Sequence, residues 1–90
     1  MEAEKNTGEI VFPCLWEFRA FCFCDRADAA QAEISRLARE TDAAASVVPG
    51  EVSKSGTYRT VRVSAVVQSR DGATALAKQI SEVDGVKMVL

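Results

Sequence analysis

The segment TYRTVRVSAVVQ, residues 57–68, carries the most regular strand pattern in the sequence. Every second side chain is small or β-branched and apolar, at Val61, Val63, Ala65 and Val67. The intervening positions are mostly larger or polar, at Tyr58, Thr60, Arg62, Ser64 and Val66. Because successive side chains of a strand point to opposite faces of a sheet, this alternation predicts a strand with one face towards a core.

A second strand pattern precedes it in LWEFRAFCF, residues 15–23. One alternate set carries no charge, and we assign it to the core: Trp16, Phe18, Ala20 and Cys22. The other set falls on the opposite face of the predicted strand: Glu17, Arg19, Phe21 and Phe23. These two strands are the richest in bulky or β-branched residues, which favours central positions in a sheet.

The segment after residue 23 predicts an amphipathic helix, because its apolar residues recur at helical spacing. The apolar stripe comprises Ala27, Ala30, Ile34, Leu37 and Ala38. We predict Asp25 as the N-cap and place Asp28 in the first turn, where a negative charge suits the helix dipole. The stripe predicts an end to the helix near Asp42.

A second amphipathic helix follows the strand at residues 57–68. Its apolar stripe comprises Ala73, Leu76, Ala77, Ile80 and Val83. Either Ser69 or Asp71 can cap its first turn, and Gly85 is predicted as the C′ residue in the left-handed conformation.

Two shorter segments predict edge strands. SVVPGEVS, residues 46–53, contains Pro49, which lacks an amide donor and is confined to edges or bulges. VKMVL, residues 86–90, contains Lys87, and charged lysines are common on exposed edges. Residues 54–56 are predicted to form the turn between the second and third strands.

The element order is therefore βαββαβ. Short right-handed crossovers in this order predict an α+β fold, the ferredoxin-like two-layer sandwich. It has a four-stranded antiparallel sheet with two helices on one face. We expect residues 1–9 to form a flexible N-terminal tail and residues 10–90 to form one ferredoxin-like, ACT-like domain, because 90 residues support a single core.

Composition excludes several classes of function. The net charge of −2 and pI near 5.1 argue against a protein built mainly to bind phosphate backbones. No apolar run approaches the roughly 20 residues of a membrane helix, and the acidic start is not typical of a secretory signal. Three cysteines without such a signal favour a reducing compartment. We therefore predict a cytoplasmic protein that does not contact membranes.

The sequence contains no histidine. Histidine is the most frequent general base, the most frequent partner of a nucleophilic serine or cysteine, and the most frequent metal ligand. We predict that the protein is not an enzyme, with no catalytic residues and no cofactor.

Three segments resemble the YbeD-like family of small uncharacterised bacterial proteins. They are Phe12–Pro13 before the first strand, SKSGTYRTV at residues 53–61, and VKMVL at residues 86–90. The resemblance covers nearly all of residues 10–90. It implies a ferredoxin-like fold similar to ACT regulatory domains and a regulatory or binding module without catalysis. It implies no site residues.

The pair Cys22 and Cys24 lies at the predicted junction of the first strand and helix. One hypothesis is a thiolate site for Cu(I) or zinc. However, residues two apart on a strand are separated by about 6.6 Å, whereas two sulfurs on one zinc lie within about 4 Å. We favour the interpretation that Cys22 fills the core and Cys24 is a small junction residue, so we predict no metal site.

The sheet face away from the helices is the candidate binding surface. Its predicted binding residues are Arg19, Phe21, Phe23, Tyr58 and Arg62, with Lys87 nearby. Three interpretations stay open: an ordinary solvent-exposed face, a patch that binds a protein partner or a second copy, and a platform for single-stranded RNA.

The leading hypothesis is a small regulatory or adaptor domain that binds a protein or a ligand through this face. The alternative is soft-metal binding by the cysteine pair. Single-stranded RNA binding is the least favoured, because the acidic pI opposes it.

Overall fold

The structure is a computed structural model that describes residues 10–90, so the predicted tail at residues 1–9 lies outside the described residues. The strands are β1 (Cys14–Phe23), β2 (Ser46–Val52), β3 (Tyr58–Val67) and β4 (Val86–Val89). The helices are α1 (Ala27–Thr41) and α2 (Arg70–Ser81). This order, with both helices packed on one face of the sheet, confirms the ferredoxin-like α+β fold.

The sheet is antiparallel with the order β2-β3-β1-β4. β1 and β3 are central, as predicted, and pair along their whole lengths from Cys14 opposite Val67 to Phe23 opposite Tyr58. Each edge strand has an irregular ladder. The register shifts between Pro49 and Val52 in β2, and opposite the Phe21–Cys22 step in β4.

The core lies between the helices and the inner face of the sheet. The four apolar positions predicted in β3 are all fully buried, as are Ala20 and Cys22 of β1. The helices contribute Ala27, Ala30, Ile34, Ala38, Ala73, Leu76 and Ile80. Trp16 lies on the predicted face but is only partly buried, and its ring stacks on Phe12 with centroids 6.0 Å apart.

The prediction of Asp25 as the N-cap of α1 is wrong. Pairing between the two central segments continues one residue past the end of β1, where the Cys24 amide donates to the Thr57 carbonyl at 2.9 Å. A short 3₁₀ turn, Cys24–Arg26, then precedes the helix, which begins without a side-chain cap. Asp28 lies in the first turn of α1, as predicted.

The structure shows which residue caps the start of α2 and corrects the prediction for its end. Ser69 is the N-cap, and its hydroxyl accepts a hydrogen bond from the Gly72 amide at 3.0 Å. The helix ends at Ser81 with Glu82 as its C-cap, so Gly85 is not the C′ residue. Gly85 does have a positive φ of 95°, in the turn that leads into β4.

Asp42 closes the end of α1 and joins it to the sheet. Its carboxylate accepts hydrogen bonds from the Val66 amide at 2.8 Å and from the Ala44 amide at 3.0 Å. These two bonds, the one from Val66 first, lower the pKa of Asp42 because they favour its ionised form. The helix end was predicted from the sequence, but this contact with β3 was not.

We expect Asp42 to make the free energy of unfolding depend on pH in the acidic range. Its folded pKa is lowered, so its contribution is complete above the ordinary aspartate pKa of about 3.9 and is lost as pH falls through the folded pKa. Urea unfolding should therefore show Asp42→Asn to be destabilising near neutral pH and much less so at about pH 2.

Asp25→Asn is the matched control for this experiment, because the Asp25 side chain caps neither the 3₁₀ turn nor the helix. Its effect should be small and should not change in the same way with pH. Equal pH profiles for the two variants would show that the hydrogen bonds of Asp42 do not shift its pKa in solution.

Candidate functional site

The open face is the side of the sheet that the helices leave uncovered. Outward-facing residues of β1 and their β3 partners form five cross-strand pairs: Leu15–Val66, Glu17–Ser64, Arg19–Arg62, Phe21–Thr60 and Phe23–Tyr58. All five predicted binding residues lie on this face. Their arrangement follows directly from the period of two in both central strands.

An aromatic pair occupies one end of the open face. The rings of Phe23 and Tyr58 lie with centroids 5.2 Å apart and planes tilted by 41°. Phe21 lies two residues before Phe23 on β1, between Thr60 on β3 and Met88 on β4. Tilted aromatic pairs contribute about 0.5–1.5 kcal/mol beyond their area burial, so this end is a stable apolar platform.

Two arginines lie directly opposite each other in the middle of the face. Arg19 exchanges both of its backbone hydrogen bonds with Leu90, at 2.9 and 2.8 Å. Arg19 and Arg62 are therefore a non-hydrogen-bonded pair of the β1–β3 ladder, the type in which side chains are closest. Like charges in this position are destabilising, so this pair is a local cost to the fold.

The surroundings of the two guanidinium groups are mixed in charge. Among residues 10–90, no carboxylate oxygen lies within 4.0 Å of either guanidinium group, the distance limit for an ion pair. A shallow cavity of about 250 Å³ beside them is lined by Arg19, Phe21, Glu51, Thr60 and Arg62. Glu17 lies two residues before Arg19 on β1, on the same face, and is also exposed. Alternating charges suit a protein surface better than a continuous phosphate backbone.

The sequence interpretation missed four apolar members of the open face. Val48 pairs with Arg62, Met88 pairs with Phe21, and Leu90 pairs with Arg19. Leu15 is the first residue of the predicted alternation but was not assigned to a face. Met88 is the β4 residue opposite Phe21, in the regular part of the ladder, and the register shift follows at the next step, where Cys22 pairs with Val86. The signal that could have found Leu15 was the period of β1 itself.

The cysteines are arranged as core and junction residues. Cys22 is fully buried under the helices, whereas Cys24 in the 3₁₀ turn and Cys14 at the start of β1 are partly exposed. Burial raises the pKa of the Cys22 thiol, and the charge of Arg59 offsets this effect only in part. The thiolate that a soft metal requires is therefore disfavoured at Cys22. The described part of the chain has no cluster of three or more histidine, cysteine or acidic residues that could hold a metal ion.

Within the described chain, neither helix has the length and apolar composition needed to cross a lipid bilayer.

Solved structures with the same fold share little sequence with this chain. Two solution structures of HP0495 from Helicobacter pylori are 20% identical to it. One has a TM-score of 0.79 and covers 100% of this chain and 94% of its own, and the other has a TM-score of 0.62 and covers 92% of each. The C-terminal domain of the MgtC protein from Mycobacterium tuberculosis is 16% identical, with a TM-score of 0.60 over 84% of this chain and 82% of that domain.

These likenesses show the fold alone, since the identities are so low. No curated protein sequence matches the chain. The family described as "Protein of unknown function (DUF493)" matches residues 8–90, which is nearly the whole sequence. The chain therefore belongs to the DUF493 family, which is the YbeD-like family that its sequence resembles.

Proposed function

We propose that this protein is a small non-enzymatic regulatory or adaptor domain that binds another protein, or a second copy of itself, through the open face. One observation carries the proposal. Eight large apolar residues of the described chain are exposed, and five of them lie on the open face: Leu15, Phe23, Val48, Met88 and Leu90. A concentration of exposed apolar side chains on one surface is typical of an interaction site.

The residue types on this face support a protein partner. Aromatic residues, methionine and arginine are enriched at protein interfaces, and the open face combines all three around Phe21 and Arg19. Glu17 and Glu51 beside the arginines argue for a partner with both signs of charge. The lack of histidine in the sequence supports a role without acid–base catalysis.

We propose that the protein acts in the cytoplasm. All three cysteines are free thiols in the structure. Free thiols in a small domain are typical of proteins kept in a reducing compartment.

Site-specific photocrosslinking in cells would test the open face directly. A benzophenone-bearing phenylalanine analogue would replace Phe23, which is 38% exposed, or Met88, which is 47% exposed. The control would place it at Arg39, which is exposed on α1. We expect a discrete crosslinked product from both open-face positions and none from Arg39. Products from Arg39 alone, or from no position, would overturn the proposal.

A further inference from the structure

Four of the five outward-facing residues of β1 form a self-complementary series. In chain order they are Leu15, Glu17, Arg19 and Phe21, which read as apolar, negative, positive and apolar, and Phe23 follows beyond the series. Successive members are about 6.6 Å apart along the strand. All four lie on the open face, so the series is displayed to a partner as one straight row.

A twofold axis in the plane of the face matches this series to itself. The axis runs across the strands and passes midway between Glu17 and Arg19. It turns a second copy over onto the first, with its β1 antiparallel to the first β1. Arg19 of each copy then lies opposite Glu17 of the other, and Phe21 lies opposite Leu15. An interface of this kind, in which the same patch serves both partners, is the most frequent arrangement in soluble oligomers.

We propose that the occupant of the open face is a second copy of this chain, packed face to face with reciprocal Arg19–Glu17 ion pairs. This inference rests on the proposed function and specifies its partner. It also gives a reason for the close Arg19–Arg62 pair. The carboxylate of Glu17 from the second copy lies over both guanidinium groups and offsets the repulsion between them.

The neighbouring strand is compatible with the same symmetry. The operation that matches β1 to itself places Arg62 of β3 opposite Ser64 of the second copy, and Thr60 opposite Val66. None of these contacts joins like charges or leaves a carboxylate against an apolar residue. The two central strands therefore agree on one position for the axis.

The size of the face indicates a weak dimer. Because β4 reaches only the rows of Arg19 and Phe21, the face covers less than the roughly 500 Å² per copy that four full rows across four strands would give. Stable complexes bury roughly 800 Å² per partner, and smaller interfaces are typical of transient contacts. We therefore expect dimers only at high protein concentration, with self-association that rises from about 10 µM to about 1 mM.

Charge exchange tests the proposal by sedimentation velocity. Arg19→Glu and Glu17→Arg should each weaken the dimer by at least about tenfold, because each brings like charges together twice. The double variant Glu17→Arg with Arg19→Glu should associate like the natural protein, since the series stays complementary when both signs are exchanged. An equimolar mixture of the two single variants should form a mixed dimer, although neither does so alone.

Both residues are exposed, so the variants should keep their fold, which circular dichroism and thermal unfolding would verify. A natural protein that stays monomeric up to about 1 mM would overturn the inference, as would single variants that dimerise normally or a double variant that does not recover. A monomer whose open face crosslinks to a protein of different mass would overturn the second copy as occupant but retain the proposed function. Absence of any open-face crosslink would remove both.

Discussion

Replacing Phe18 by alanine should lower the free energy of unfolding by about 3–5 kcal/mol, the usual cost of removing a buried aromatic ring. Phe18 is 4% exposed and lies on β1, opposite Val63, where the sheet meets the helices. The small alanines of both helices allow close packing, so they cannot refill the space of a lost ring. A chain of 90 residues has a total stability of roughly 5–13 kcal/mol. The loss should be evident in urea unfolding monitored by circular dichroism.

Phe23→Ala is the matched control, because it removes the same ring from the other face of the same strand. Phe23 is 38% exposed and contacts Tyr58, so its loss should cost only about 1 kcal/mol. Phe18→Leu, which keeps most of the volume, should cost less than about 1.5 kcal/mol. Equal losses for the two alanine variants would mean that β1 does not have one buried and one open face.

Gly85→Ala should be the second most damaging substitution after Phe18→Ala, at about 2–5 kcal/mol. Two separate effects add at this position. The backbone φ of 95° is unfavourable for any residue with a Cβ, at a cost of about 1–2 kcal/mol. An added Cβ would also lie 2.7 Å from the Cβ of Arg26, which cannot move without the 3₁₀ turn, and such overpacking costs about 1–3 kcal/mol.

Gly56→Ala separates the two effects. Gly56 has a similar φ of 77°, but no atom lies within 4 Å of where its Cβ would be. Its substitution should cost only the backbone contribution. Combining Gly85→Ala with Arg26→Gly should be less destabilising than the sum of the two single changes, because the clashing atom is gone. Additive effects, or equal losses for the two glycines, would contradict the close approach to Arg26.

The helices and central strands could be predicted because the sequence patterns that indicate them are local. The alternation around Val63 and the helical stripe around Ile34 each fix which side of an element is buried, and one buried side per element is enough to assemble two layers. Asp25 was misassigned for a reason that is not local. The amide of Cys24 donates to the Thr57 carbonyl, far along the chain, so the chain still pairs with the sheet next to the position where the cap was predicted.

For the candidate site too, some residues could be predicted from local sequence and others could not. Residues of the central strands, such as Arg19 and Arg62, could be placed on the open face from their period alone. Val48 and Met88 could not, because their short edge strands lack a clear alternation and their faces follow only from pairing with Arg62 and Phe21 on the central strands. The hydrogen bonds that set those registers join distant segments, and the sequence within each edge strand does not encode them.

Pro49 has a further consequence for how copies of this protein can aggregate. The backbone amide and carbonyl of Val48 point towards Arg62 on β3. Because these directions alternate along a strand, the carbonyl of Pro49 points away from β3, to the outer edge of the sheet. That edge therefore lacks one amide donor, and the ladder irregularity immediately after Pro49 displaces the groups that follow. An extended strand from a neighbouring molecule would find no regular row of donors and acceptors there. Growth of the sheet into open-ended fibrils by strand addition is therefore disfavoured at the β2 edge.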